Sequence, residues 1–284
     1  MKLPQPCAKA FCLRPSLEES NPVHMLNASK TLAYILSAGR GQRLGGICKG
    51  RLLVNGKPLL SRQIDLLQAH GIAHTVVITG YQSDEIRSIL TPHLKHLEQQ
   101  GSDMSAECID VPSAGANAEA SADIQGSVRA ALIHAQGLLA RDAQVGGLLI
   151  CLVDLPLLCE QDIAALLAFA DQPQIDVVIP FSAARVQGHP IWLSRNFVLT
   201  LPADDPRFSL RKALQELRAG RSQSVREMPT ASPGYFTDID TKEDIELLRL
   251  THGLEIVVAQ DKPTDANHPG PSGPNHQDHR DHSG

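Results

Sequence analysis

Three scarcities narrow the field before any motif is read. No apolar run in the 284 residues approaches the roughly 18 that a bilayer-crossing helix needs, so no membrane partner is expected. Basic charge is not in excess: 26 Lys and Arg face 31 Asp and Glu, a formal net charge of −5. A nucleic-acid binder carries a basic footprint, and no nucleic-acid partner is expected. None of the six cysteines (Cys7, Cys12, Cys48, Cys108, Cys151, Cys159) pairs at C-x-x-C spacing, and free thiols suit a reducing compartment. The first residues, Met1-Lys2-Leu3-Pro4, put charge and proline where a secretory signal has an unbroken apolar core. The chain is therefore expected in the cytoplasm.

What is present concentrates between Thr31 and Leu60. An apolar run, Thr31–Leu36, reads as a buried strand and empties into a loop holding Gly39, Gly41, Gly45 and Gly46 among Arg40, Arg43 and Lys49. Gly56-Lys57-Pro58 then opens an amphipathic helix. Glycines let backbone N–H groups crowd an anion, and Arg and Lys add forked or mobile positive charge. Strand, basic glycine loop and helix are the parts of a phosphate cradle. Two familiar cradles fail on spacing. A P-loop requires G-x-x-x-x-G-K-[ST], and Lys49 follows Cys48 and precedes Gly50. A dinucleotide fingerprint requires a third glycine where this chain has Leu44, and the acidic residue about 20 positions on is missing. Cys48, beside Lys49 in a basic loop, is the one thiol whose pKa such charge would lower. Cys151 lies in an apolar run and reads as a small core residue.

Beyond the loop, β-rich apolar runs (Thr31–Ser37, His74–Thr79, Ala106–Val111, Gly147–Val153, Ile175–Phe181) alternate with helix-patterned segments (Leu59–His70, Ser83–Gln99, Asp123–Ala140, Glu160–Ala170). Such alternation implies crossover units on a mainly parallel α/β sheet, whose ligands bind at the carboxyl ends of the strands. A short strand at Pro190–Leu193, a helix near Ser209–Arg218, and a last strand and helix from Tyr235 to Leu250 are expected. The organisation is an irregular extension over 1–30, a single domain over 31–255, and a disordered tail over 256–284 rich in Pro, Gly, Asn, Asp and His. The tail histidines His268, His276, His279 and His282 have no preorganised arrangement and are expected to give only weak metal affinity.

Three further segments carry chemistry. Gly147–Val153 ends in Asp154-Leu155-Pro156, a carboxylate at the end of a central strand. It reads either as a helix cap or as a hard oxygen ligand for Mg²⁺ beside a phosphate site. Phe236-Thr237-Asp238-Ile239-Asp240-Thr241 reads as strand then cap, with Asp238 and Asp240 on one side of an extended segment. Gly188-His189-Pro190 is a turn entering a strand, and His189 reads equally as a turn-stabilising or a substrate-contacting side chain.

Taken together, L-x-A-G-x-G-x-R-x-G, Lys49 and Leu53-Val54-Asn55-Gly56-Lys57-Pro58-Leu59 resemble the signature of the nucleotidyltransferases of the nucleotide-diphospho-sugar transferase superfamily. Within it the chain is most similar to the molybdenum cofactor guanylyl- and cytidylyltransferases. The resemblance implies a Rossmann-like, GT-A-type fold and transfer of NMP from an NTP to a phosphorylated acceptor, with release of pyrophosphate. It implies Arg43 and Lys49 as catalytic residues. Leu36, Ser37, Ala38, Gly39 and Gly41, with Thr79, Gly80 and Ser127, are implied as nucleotide contacts. Asp154 and Asp240, with Asp238 as the alternative to Asp240, are implied as Mg²⁺ ligands. The implied acceptor is of molybdopterin type, and the resemblance admits a molybdoenzyme as partner. CTP is favoured over GTP by Ala38, the Gly188-His189-Pro190 turn and the Asp238-Ile239-Asp240-Thr241 end, while the Lys49–Leu59 segment leans toward GTP. A sugar-phosphate nucleotidyltransferase is the enzymatic alternative, and a non-catalytic nucleotide-binding partner of a molybdoenzyme is the alternative of another class. Arg51 stands where the family has Leu, and Lys242 where it has Pro.

Overall fold

The computed structural model describes residues 31–111, 120–172 and 174–258. The expected extension over 1–30 and nearly all of the expected tail lie outside the described residues.

β1 (Thr31–Leu36) is buried along its whole length, as a strand covered on both faces of a parallel sheet must be. It pairs in parallel with β4 (His74–Thr79) and with β6 (Gly147–Leu152). β4 pairs in parallel with β5 (Ser105–Asp110). Across β6 the sheet continues through β8 (Ile191–Ser194), which is antiparallel to β6 and to β7 (Val177–Phe181), and ends on β9 (Val225–Pro229), parallel to β7. The strand order β5-β4-β1-β6-β8-β7-β9 leaves β8 alone running against the rest. β1, β4, β6 and β7 therefore release their loops along one edge.

Alternate residues of the central strands feed two cores. Tyr34 and Leu36 pack with Ala131, Leu132 and Ala135 of α3 (Ala120–Arg141) on one face. Ala33 and Ile35 pack on the other with Ile64 of α1 (Leu59–Ala69), Ile86 of α2 (Ser83–Gln99) and Ile163 of α4 (Glu160–Ala170). A small antiparallel sheet of β10 (Ile256–Val258), β2 (Leu52–Val54) and β3 (Lys57–Pro58) stands beside the large one. It rests on a third cluster that joins Leu44, Leu52, Val54 and Leu59 to Ile239 and Leu248. Leu248 belongs to α7 (Lys242–His252).

Several expectations shift. α3 begins at Ala120 rather than Asp123. The strand expected at Tyr235 does not form: Pro233–Tyr235 makes a 3-10 turn, and among the described residues Asp238–Asp240 has no ladder partner. Its backbone is held instead by the Ile239 N–H donating to the Asp154 carbonyl at 3.1 Å. The small sheet takes in residues 256–258, just past the expected end at 255. β2 and β3, not expected from the apolar pattern, turn at Asn55-Gly56, both at positive φ (50° and 79°), the backbone that a two-residue hairpin of matching twist requires. The short α5 (Arg195–Thr200) and α6 (Leu210–Gly220) complete the helices.

Candidate active site

β1 ends where Ser37 donates its N–H to the Ile78 carbonyl of β4 at 2.8 Å. The chain then turns through Ala38–Gly41 into a 3-10 turn over Gln42–Leu44. Gly41 has φ 58°, and a side chain there would run into the Ile47 carbonyl, so no other residue closes this turn without moving the loop. The N–H groups of Ala38, Gly39 and Gly41 make no backbone hydrogen bond among the described residues. Leu44, 1 % exposed, anchors the loop in the cluster that also buries Ile239. That packing brings the glycine loop to the two acids flanking Ile239.

Lys49 opens a second 3-10 turn, Lys49–Arg51, and its ammonium lies between two carboxylates. Nζ donates to Asp154 Oδ2 at 2.6 Å and to Asp240 Oδ1 at 2.5 Å. Arg43 donates from a terminal guanidinium nitrogen to Asp240 Oδ2 at 2.9 Å. Asp154 is placed by the end of β6, where the Val153 N–H reaches the Leu36 carbonyl at 3.2 Å. Asp240 is fixed from behind: its N–H donates to Asp244 Oδ2 at 2.9 Å, in the capping box that Thr241 and Asp244 build on α7. Oxygens of Asp154, Asp238 and Asp240 all lie within 4.8 Å of one another.

The charges follow the geometry. Burial alone would lower the Lys49 ammonium, but the charge and hydrogen bonds of Asp154 and Asp240 outweigh it and hold Lys49 above its usual range. Asp238 is pushed up, first by burial and then by Asp154 and Asp240. His189 is pushed down by burial, against the opposing pull of the Ile150 carbonyl and Asp154, and its Nδ1 is buried with no partner. Gly188 is required beside it, because a Cβ there would stand 2.7 Å from the Phe236 ring and 2.8 Å from Tyr235. Cys48 overturns the expectation of a lowered thiol: it is 3 % exposed, and burial, helped by Glu85, pushes it up to about 11.

Leu36, Ser37, Ala38, Gly39, Gly41, Arg43, Lys49, Asp154, Asp238 and Asp240 thus gather at one edge of the sheet. Gly80 joins them, since a Cβ on it would stand 3.1 Å from Ala38. Thr79 is fully buried, its hydroxyl donating to Asp110 at 2.6 Å. Ser127, expected at a helix start, lies two turns into α3 because the helix begins at Ala120. Its N–H is therefore not one of the four that a helix leaves unpaired. Gly126, its neighbour, sits by Val111, which sets this part of α3 beside the end of β5. Asp110 itself was missed. It ends β5 as Asp154 follows β6, takes Arg87 at 2.8 Å, and is held below the usual carboxylate range by the Thr79 hydroxyl and Arg87. A carboxylate closing a strand at the binding edge was its readable signal. Arg51 extends away from the acids to Glu85 at 2.9 Å.

A mainly parallel sheet with a basic glycine loop and a Lys-bridged acid cluster at its carboxyl edge defines the nucleotidyltransferase class. Residues 33–222, well over half of the chain, match the family model described as the MobA-like NTP transferase domain. The chain belongs to that family. No curated protein sequence matches it. Among solved structures it is similar to a homologue of Mycobacterium tuberculosis Rv0371c from Mycobacterium sp. strain JC1. That pair shares 20 % identity over 78 % of this chain and 95 % of the other, with a TM-score of 0.54. It is similar also to 4-diphosphocytidyl-2C-methyl-D-erythritol synthase from Anaerococcus prevotii, at 14 % identity over 80 % and 98 % with a TM-score of 0.53. The manganese complex of Rv0371c from Mycobacterium tuberculosis aligns at 17 % identity over 78 % and 99 %, with a TM-score of 0.51. At these identities the likeness is one of fold.

Proposed function

We propose that the chain transfers a nucleotidyl group from an NTP, CTP favoured, to the phosphate of a molybdopterin-type acceptor. The observation that carries this reading is the Lys49 ammonium, 15 % exposed between Asp154 and Asp240, beside the Ala38, Gly39 and Gly41 N–H groups, which make no backbone hydrogen bond among the described residues. In the reaction an acceptor phosphate oxygen forms a bond to the α-phosphorus of the NTP, and the bond from that phosphorus to the bridging oxygen breaks. Pyrophosphate leaves. The attacking oxygen is already anionic, so no base is required, and alignment and charge neutralisation are the tasks left to the protein. Ala38, Gly39 and Gly41 offer N–H groups to the β- and γ-phosphates. Arg43, its side chain 71 % exposed, is free to turn from Asp240 toward them. Lys49 shifts from the acids to the charge that develops at the α-phosphate.

The acid cluster fits a divalent cation. Asp154, Asp238 and Asp240 are hard oxygen donors of the kind Mg²⁺ takes together with phosphate oxygens and waters. Asp154 Oδ1 is buried without a hydrogen-bond partner. These carboxylates would hold such an ion, which would supply charge neutralisation to the phosphates. The manganese complex of a protein of similar fold supports a divalent ion in this class.

A second reading, GTP, has one observation in its favour. Asp110 beside Thr79 is an acceptor-only carboxylate, suited to the N–H donors on the guanine edge and not to the acceptors that dominate cytosine. The test is a matrix of four NTPs against molybdenum-loaded molybdopterin and a sugar phosphate, with Mg²⁺ and pyrophosphate detection. Release with CTP and the pterin supports the first reading, and release with GTP the second. Release only with the sugar phosphate moves the acceptor. Binding without release in any cell of the matrix supports the non-catalytic alternative.

A further inference from the structure

We propose that His74, Glu107 and His134 form a second cation site, for a borderline ion such as Zn²⁺, at the far end of the sheet from the acid cluster. His74 begins β4, Glu107 lies in β5, and His134 projects from α3. His74 is five residues from the end of β4, which sets it about 17 Å from the nucleotide edge, and Glu107 is three residues from the end of β5.

The arrangement is that of ligands oriented from behind. His74 Nδ1 is 2.7 Å from Ser105 Oγ, and His134 Nδ1 is 3.1 Å from the Tyr34 hydroxyl. Each hydroxyl fixes its ring from the Nδ1 side and leaves Nε2 to the opposite side, as the hydrogen-bonding partners of metal-bound histidines do. Both Nε2 atoms then face one carboxylate oxygen, Glu107 Oε1, at 3.3 Å for His74 and 3.6 Å for His134. His74 Nε2 is buried and makes no hydrogen bond. Donor atoms bound at about 2.0–2.1 Å in a tetrahedral zinc site stand about 3.3–3.4 Å apart, a spacing that His74 meets at 3.3 Å and His134 exceeds at 3.6 Å.

Among the described residues only the three aspartates bring three donor atoms within 4.8 Å of one another. The imidazoles therefore flank Glu107, and an ion must draw one of them inward. Side-chain exposures of 31 % for His74, 46 % for Glu107 and 29 % for His134 leave room for that rotation. Two histidines and one carboxylate, with one position left for water, are a donor set that zinc accepts. The ion would clip α3 to the β4–β5 side of the sheet.

The test is Zn²⁺ titration of the full chain by calorimetry at neutral pH, with Co²⁺ absorption as a second readout. Wild type is compared with His74→Gln, Glu107→Gln and His134→Gln. The aspartates and the tail histidines are identical in every protein, so differences report this group alone. Wild type is expected to take up one equivalent more than each variant. It should show Co²⁺ d–d bands that each variant loses, and a melting temperature that Zn²⁺ raises more in wild type than in any variant. Ser105→Ala and Tyr34→Phe should retain the stoichiometry and weaken affinity about 10-fold or more. If His134→Gln fails to fold, judged by circular dichroism without metal, the two strand variants decide. Equal uptake and unchanged Co²⁺ bands across the series overturn the proposal.

Discussion

Replacing Lys49 by Ala removes a cation that touches two of the three clustered carboxylates. Asp154, its side chain 15 % exposed, loses its only ion pair among the described residues, and Asp240 keeps Arg43. Stranding one member of a buried pair costs about 3–5 kcal/mol. Asp240 is 38 % exposed and screened by water, so the net loss should be nearer ~2–3 kcal/mol. In a domain of this size each kcal/mol moves the melting temperature by about 2–4 °C, which gives a fall of roughly 5–10 °C. Three carboxylates without an ammonium are also a better seat for a divalent ion. Mg²⁺ should therefore raise the melting temperature of Lys49→Ala more than that of wild type, while turnover stays lower by about 10²-fold or more. Acid should narrow the gap between the two proteins. Lys49 keeps its charge throughout, being held above its usual range. Asp238 is already pushed up, first by burial and then by Asp154 and Asp240, so as pH falls through its raised pKa the repulsion in the variant is relieved there first. The assay is differential scanning fluorimetry between about pH 5 and 8, with and without Mg²⁺, together with pyrophosphate release. An unchanged melting temperature, or equal Mg²⁺ responses in the two proteins, refutes the reasoning. Lys49→Arg is no safe control, because a planar fork does not replace a point charge.

Other outcomes follow from single contacts. Asp154→Asn keeps the size and a carbonyl but loses the charge, so calorimetry should show Mg²⁺-dependent NTP binding severely weakened in a folded domain. Asp240→Asn should weaken it less, and Asp238→Asn ranks the third acid. Thr241→Ala removes the cap of α7 and should cost about 1 kcal/mol, read as a lowered melting temperature, with NTP affinity falling as Asp240 loses its backing. Gly41→Ala should cost about 1–3 kcal/mol of backbone strain and weaken NTP binding while Mg²⁺ binding to the acids persists. Truncation after Gln260 should leave melting temperature and turnover unchanged, and a fall of several degrees would show that the tail packs on the domain.

The central strands were legible because each is an unbroken apolar run, and a parallel sheet buried on both faces produces that pattern. The loop was legible because its glycines and basic residues interrupt the pattern between an apolar run and a helix. Asp238–Asp240 was misread as a strand. Its alternation of Asp, Ile and Asp is real, yet it reports one buried side chain, Ile239, and a single backbone bond to Asp154 rather than a ladder. β10 and β9 were missed because they are short and half-exposed, too brief for period-2 alternation to register. The Asn55-Gly56 hairpin did carry its signal and was overshadowed by the helix that follows. The bridge from Lys49 to both carboxylates has no local signature at all, since its partners lie 105 and 191 residues away. The cluster that buries Leu44 with Ile239, and the Ile239 N–H bond to the Asp154 carbonyl, bring them together.

The central claim is that Asp154 and Lys49 serve one nucleotidyl-transfer centre. Its most direct test is pyrophosphate release by wild type, Asp154→Asn and Lys49→Ala, each with CTP or GTP, molybdenum-loaded molybdopterin and Mg²⁺. The account predicts that wild type releases one pyrophosphate for each acceptor consumed, and that both variants, though folded, lose about 10²-fold or more of the rate. Undiminished release by either variant, or none by wild type with any NTP and acceptor, would contradict it.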